Sequence, residues 1–376
     1  MRTLKFLGLS SIVSVAAIAS ACADNTACSI SPAETRPTVE NLIGTSVSSD
    51  VIDGFLRERM ASRQIPGLSV AIINNGEVVY HRSLGVENAV SQTPVTPCST
   101  FQGASITKPL FGYFAMTFVD EGVLDLDRPL AEYLEYPALD HDPRYKAITA
   151  RMVLSHQTGL PNWRSDNPDG NLRIAFAPGT GFSYSGEAYQ YLARVLKSLA
   201  DVDDAGLEDL FQSRVAEPLG LRHTEIVPSD DLLQRRVDPH WEGEHRPYSS
   251  SASYKTFGAA YGVHTEAADF SNWLIGLMDQ KGLSASAFES YFAGQGTPVP
   301  EQDALSIVTG QDYALGFLAI DTALGRLYGH DGNNPGFSSA IVLDREKRWG
   351  FVLLSNGNQT SDLGVELTLF LNTPSQ

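Results

Sequence analysis

The chain has 376 residues, 43% hydrophobic and 19% charged, with a formal net charge of −17. That length and apolar content suffice for a large two-layer core. The acidic balance argues against nucleic acid and against an anionic membrane surface as partners.

Arg2 and Lys5 open the chain, Phe6 to Ile18 form an apolar run short for a membrane span, and Ala19-Ser20-Ala21-Cys22-Ala23 offers a small-residue cleavage site. An export signal over residues 1–23 is expected, giving a periplasmic or secreted protein. Lipoprotein anchoring through Cys22 is the alternative, with Ala19 standing where such motifs usually carry leucine. Loss of Cys22 with the signal would leave Cys28 and Cys98 in an oxidising compartment. A Cys28–Cys98 bridge and two unpaired thiols both stay open.

Residues 24–45, with Pro32 and Pro37, read as a flexible leader. Ser48 or Ser49 then caps an amphipathic helix with Val51, Ile52, Phe55, Leu56 and Met60 on its apolar face. Leu68 to Ile73 and Val78 to Ser83 are strand-like runs joined by Asn74-Asn75-Gly76, a strong hairpin signal. Apolar residues at helical spacing from Lys108 to Glu121 predict a buried helix, and the stretch to about 254 is helical with loops. Another helix starts near Thr265. Tyr313 to Ile320, Gly325 to His330, Ser338 to Leu343 and Trp349 to Ser355 read as strands, and a last helix follows Thr360. Strands at both chain ends with helices between them predict an α+β fold. Its antiparallel sheet would be flanked by helices and built from both ends, with an inserted, mostly helical lobe. The domain would span 46–374, with an α/β lobe of 46–100 plus 255–374 and a helical lobe of 101–254.

Within Gly103-Ala104-Ser105-Ile106-Thr107-Lys108, Ser105 and Lys108 fall about one helical turn apart on one face. A serine hydroxyl is a weak nucleophile at neutral pH without an adjacent base. A desolvated lysine, its pKa lowered by burial, can serve as one. Three further pieces follow in order: Leu154-Ser155-His156-Gln157-Thr158-Gly159-Leu160-Pro161, Tyr184-Ser185-Gly186, and His330-Asp331-Gly332, which ends a strand and opens the loop Asn333-Asn334-Pro335-Gly336-Phe337.

Together with Glu217-Pro218-Leu219-Gly220, these pieces resemble the serine beta-lactamase and penicillin-binding protein superfamily over residues 48–372, closest to its class C, D-peptidase and esterase branch. The resemblance implies an acyl-transfer hydrolase with Ser105 as nucleophile, Lys108 as its activating partner and Tyr184 as proton shuttle. It also implies an oxyanion hole from the N–H groups of Ser105 and Asn333, the residue after Gly332, with His330 facing the substrate. Gly186 stands where many members carry an asparagine that contacts the substrate's acylamido group, and Glu187 follows it. His-Asp-Gly replaces Lys-Thr-Gly. Both departures point toward a D-peptidase or esterase rather than a true beta-lactamase. With an ordinary imidazole pKa, His330 would be partly charged at neutral pH. His156 is expected to hold a loop. The substrate would be a small molecule or peptidoglycan-derived, and the competing readings are a true class C-like beta-lactamase and a non-catalytic penicillin- or peptidoglycan-binding protein. The remaining histidines show no metal-ligand spacing such as His-Glu-x-x-His, so no metal is expected, and no cofactor is expected. Nothing in the sequence points to an oligomeric state.

Overall fold

The computed structural model describes residues 35–248, 254–297, 299, 308–358 and 362–373. The expected export signal, Cys22 and Cys28 lie outside them. Cys98 is held in a disulfide.

Two short strands, β1 (Thr38–Glu40) and β2 (Ser46–Ser48), pair antiparallel ahead of helix α1 (Ser49–Ser62). The expected mobile leader is therefore corrected over residues 38–45. Asn41 closes the β1–β2 turn by bonding Thr45, Val39 is buried, and the Leu42 N–H donates to Asn372 at the far end of the chain. Ser48 caps α1 through the Asp50 N–H. Ile52 and Leu56 are buried as the spacing predicts, whereas Val51 is 54% exposed.

Strands β3 (Gly67–Asn74) and β4 (Glu77–Asn88) form the expected hairpin. Asn75 and Gly76 both take positive φ (54° and 77°), as a tight two-residue hairpin turn requires. Strands β5 (Thr93–Pro94) and β6 (Phe101–Gln102) lead into helix α2 (Thr107–Asp120). Helices α3 (Ala150–Leu154), α4 (Gly186–Ala200), α5 (Asp204–Phe211), α6 (Glu217–Leu219) and α7 (Asp230–Gln234) follow. After the small strands β7 (His240–Trp241), β8 (Glu244–His245) and β9 (His264–Thr265) come helices α8 (Ala267–Met278) and α9 (Ala285–Phe292). The chain closes with β10 (Val308–Tyr313), β11 (Leu318–Thr322), β12 (Gly325–Asn334), β13 (Phe337–Asp344), β14 (Trp349–Ser355) and α10 (Leu363–Asn372).

The main sheet is antiparallel, in the order β10-β11-β12-β13-β14-β3-β4-β5. Its N-terminal and C-terminal strands meet where β14 pairs with β3. This is the α+β architecture the sequence predicts. Both faces are covered, so β3 is buried along its whole length. Leu68, Val70 and Ile72 pack toward α1 and α10, and Ala71 and Ile73 toward the helical side. Full burial of each large aliphatic side chain is worth about 1.5–3 kcal/mol.

The run Tyr313 to Ile320, read as one strand, is two. Residues 314–317 turn between β10 and β11: Gly316 sits at φ 108°, and the Ala314 N–H donates to the Phe317 carbonyl. Leu315 and Phe317 drop into the helical-side core, which gave the stretch its strand-like hydrophobicity.

Candidate active site

Ser105 sits in a single 3₁₀ turn, Ala104–Ile106, that runs directly into α2. Ala104 takes φ +50°, a left-handed conformation costing a non-glycine residue roughly 1–2 kcal/mol. The surroundings hold it there. The Gly103 N–H donates to Val263 O, Ser339 Oγ donates to Gly103 O, and Thr107 Oγ1 donates to Ala104 O. Three elements thus fix the backbone under one serine.

Lys108 lies one turn further and is 1% exposed. Its Nζ donates to Ser105 Oγ at 3.0 Å and to the Ala260 carbonyl at 2.9 Å. The ammonium also lies 4.5 Å from the ring centre of Tyr184 and 5.7 Å from that of Tyr189. Burial pushes the amine down to about 7, against the opposing pull of the Asp331 carboxylate. A large fraction is therefore neutral near pH 7, with its lone pair available to the serine proton.

Tyr184 stands immediately before Ser185, the N-cap of α4, whose Oγ accepts from the Ala188 N–H and donates to Pro161 O. Burial raises the pKa of the Tyr184 hydroxyl, with Ser105 beside it opposing the shift, so it stays protonated. His156 does more than hold a loop. It is fully buried, its Nδ1 accepts the Ser185 N–H at 3.1 Å, and its ring lies 4.3 Å from the Tyr184 ring. Burial, with Lys108 and His330 nearby, drives its pKa well down and keeps it neutral.

The third motif lies inside a strand. β12 continues through Asn334 and stays paired with β13 up to the Asn334–Phe337 pair, so the expected open loop after Gly332 is corrected to a tight Pro335–Gly336 turn. Pairing with β11 stops at Gly329, which leaves one edge of residues 330–334 facing the Ser105 turn. With Asn334 and Phe337 flanking a two-residue turn as a hydrogen-bonded pair, alternation directs the Asn333 N–H to that free edge. Gly332 is needed for the close approach. A Cβ there would overlap Ser339 Oγ and come within 2.5 Å of Gly103 O and 2.7 Å of Ser105 N. Gly332→Ala should push β12 off the Ser105 turn and part the two N–H groups. Loss of one oxyanion donor costs about 10²–10³ in kcat, and ester-hydrolysis kinetics on the folded variant checks it; activity within threefold of the parent would contradict it.

His330 is half-buried beside Tyr184, ring centres 6.1 Å apart. Its Nδ1 bonds the Asp331 carbonyl, so Nδ1 carries the proton and Nε2 is an acceptor. Desolvation lowers its pKa to about 4; Asp331 opposes the shift and Lys108 adds to it. The expectation of partial charge at neutral pH is corrected: His330 is neutral there.

The space near Gly186 is filled by a residue the motifs did not flag. A Cβ at position 186 would meet the Trp163 indole at 2.5–2.9 Å. Glu187 turns away from the site and clamps Arg164 through its N–H, Nε and Nη2. No group of His, Cys, Asp or Glu among the described residues could hold a metal ion.

A family model described as Beta-lactamase matches residues 52–370. The chain belongs to the beta-lactamase family. It is 21% identical over 346 residues to "Protein flp" of Staphylococcus aureus (strain N315), covering 88% of this chain and 67% of that one. It is 26% identical over 238 residues to "Esterase EstB" of Burkholderia gladioli, covering 56% of this chain and 59% of that one. The chain thus spans about two thirds or less of the length of these relatives. Its fold is similar to that of the octameric penicillin-binding protein homologue from Pyrococcus abyssi, with TM-score 0.74, 22% identity, and 86% and 77% of the two chains covered.

Proposed function

We propose that this protein is a serine hydrolase that works through an acyl-enzyme on Ser105, taking ester or D-amino-acid peptide substrates and, foremost, uncharged esters. The observation that carries the reading is the Lys108 amine, buried, lowered to about 7 and 3.0 Å from Ser105 Oγ. Neutral Lys108 takes the Ser105 proton as Oγ bonds the substrate carbonyl carbon. The oxyanion that forms is held by the N–H groups of Ser105 and Asn333. The intermediate collapses, the C–O or C–N bond breaks, and the leaving group takes a proton delivered through the Tyr184 hydroxyl. Water then attacks the acyl-Ser105 carbonyl along the reverse proton route, releasing the acid and restoring the serine.

Substrate charge is read from His330. A neutral imidazole whose proton is committed to Asp331 O presents an acceptor, which cannot hold a carboxylate. The similarity to a named esterase agrees with this reading. Residues 1–23 support export, so that hydrolysis would take place in the periplasm or outside the cell.

Burst kinetics with a neutral p-nitrophenyl ester test the function. A fast phase followed by steady turnover is the expected result; a burst alone would make the protein an acylated binder. The pH profile is a second test. Because the Lys108 pKa is lowered, the active neutral amine is lost as pH falls, so kcat/KM should rise with pH to about 7 and level off above it. His330, titrating near 4, should add no inflection between pH 6 and 8. A flat profile from pH 5 to 9 would contradict Lys108 as the base.

A further inference from the structure

The first turn of α4 serves the loop opposite it. Both the Gly186 and Glu187 N–H groups donate to the Asn162 carbonyl, and Gly186 N also donates to Asn162 Oδ1. Gly186 leaves room for the Trp163 indole, and Glu187 fixes Arg164, whose Nη2 also donates to Tyr136 Oη. Bonds to Asn162 and Arg164, on either side of Trp163, thus hold a half-exposed tryptophan against Gly186, two residues after Tyr184. The indole meets Tyr261 edge to face, ring centres 5.6 Å apart. Tyr261 follows Ala260, the carbonyl that receives the Lys108 ammonium. Trp163 and Tyr261 therefore stand together at the rim of the Ser105–Lys108–Tyr184 cluster.

From Tyr261 a cavity of about 310 Å³ continues, lined by Tyr248, Tyr254, Phe337, Pro335 and Gln102 among others. That volume is at the small end for ligand sites. Among the described residues no carboxylate lines it, and Arg246, at its edge, is exposed and faces Glu244. The polar groups beside the cavity bond each other: Asn334 Nδ2 donates to Gln102 Oε1, and Gln102 Nε2 to Tyr254 Oη. The cavity thus offers mainly rings, with one unpaired buried polar atom at its wall, His264 Nε2. Its place along β12 decides which part of the substrate it receives. His330 and Tyr184 mark the leaving-group end. Asn334, at the cavity, lies four residues up the strand, about 13 Å away at the usual rise per residue. Asn333 and Ser105, the candidate oxyanion donors, lie between. The cavity is on the acyl side.

We propose that Trp163 is a specificity-determining residue: with Tyr261 it forms an aromatic wall that closes the space over Gly186 and directs an apolar, uncharged acyl group of the substrate into the cavity beside Asn334. This rests on the ester-hydrolase reading and names the acyl class of that substrate. An acyl group carrying a polar amide next to the scissile carbonyl would meet the indole face where it needs a hydrogen-bond partner, and discrimination follows from that lost contact.

The test compares p-nitrophenyl phenylacetate with p-nitrophenyl acetate on the full chain and on Trp163→Ala, Trp163→Phe and Gly186→Asn. The readout is the ratio of kcat/KM for the two esters, with circular dichroism confirming folding. The parent should favour phenylacetate. Trp163→Ala should lower the ratio by about tenfold, chiefly through KM, and Trp163→Phe by less. Gly186→Asn, which must displace the indole, should shift the ratio in the same direction; adding Trp163→Ala to it should restore activity lost to the overlap. A ratio within twofold of the parent in both Trp163 variants would overturn the proposal, as would a parent that prefers acetate. A parent that is acylated by both esters but turns neither over would instead overturn the hydrolase reading, and the ratio of burst rates would still judge Trp163. Absence of any acylation would overturn both.

Discussion

Ser105→Ala should reduce ester turnover by at least about 10⁴-fold, because groups that act as one proton-transfer unit lose nearly everything when the nucleophile goes. The geometry gives the reason. Ser105 Oγ is one of two oxygen acceptors bonded by the buried Lys108 amine. The backbone should be undisturbed, since the 3₁₀ turn is held through Gly103 O, Ala104 O and the Gly103 N–H and not through the serine side chain. Turnover by a folded alanine variant within tenfold of the parent would mean that the reaction runs elsewhere.

Lys108→Met should separate activity from stability. Methionine keeps the unbranched shape of the side chain and removes the amine. Loss of a general base costs about 10²–10⁴-fold in rate, and here the upper half is expected because the same amine lies against both Ser105 and the Tyr184 ring. Stability should move the other way or not at all. A fully buried amine is desolvated at a cost that its two hydrogen bonds offset only in part, and an apolar side chain of like volume avoids it. The expected outcome is a variant nearly inactive on esters, with a melting temperature equal to or above the parent's. A melting temperature many degrees lower would show Lys108 to be structural; parent-like kcat would remove it from the mechanism. Tyr184→Phe keeps the ring against His156 and should show the same loss of activity in a milder form.

Much of this site is local in sequence, and that part was legible. Ser105 and Lys108 face the same way because a helix repeats every 3.6 residues, so their spacing alone brings the groups together. The Asn75–Gly76 turn, the buried helix after Lys108 and the meeting of strands from both chain ends follow from periodicity and turn chemistry in the same way. What was not legible depends on partners far along the chain. Residues 38–45 follow Pro32 and Pro37 and are half polar, yet Asn372 and the β1–β2 pairing tie them down. Residues 313–320 are uniformly apolar, yet divide at Gly316 because Leu315 and Phe317 belong to the helical-side core. His330 reads as a group titrating near neutrality until burial and the Lys108 ammonium are taken into account. Trp163 carries no motif at all. Its one trace in the sequence is Gly186, a missing side chain whose reason is an indole from 23 residues earlier.

The central claim, covalent acylation of Ser105 assisted by Lys108, is tested most directly by peptide mapping of the protein quenched during turnover of p-nitrophenyl phenylacetate. The predicted result is a single acyl mass on the peptide containing Ser105, formed faster as pH rises to about 7 and absent from Ser105→Ala. Steady hydrolysis with no adduct at any quench time, or an adduct on another residue that persists in Ser105→Ala, would contradict it.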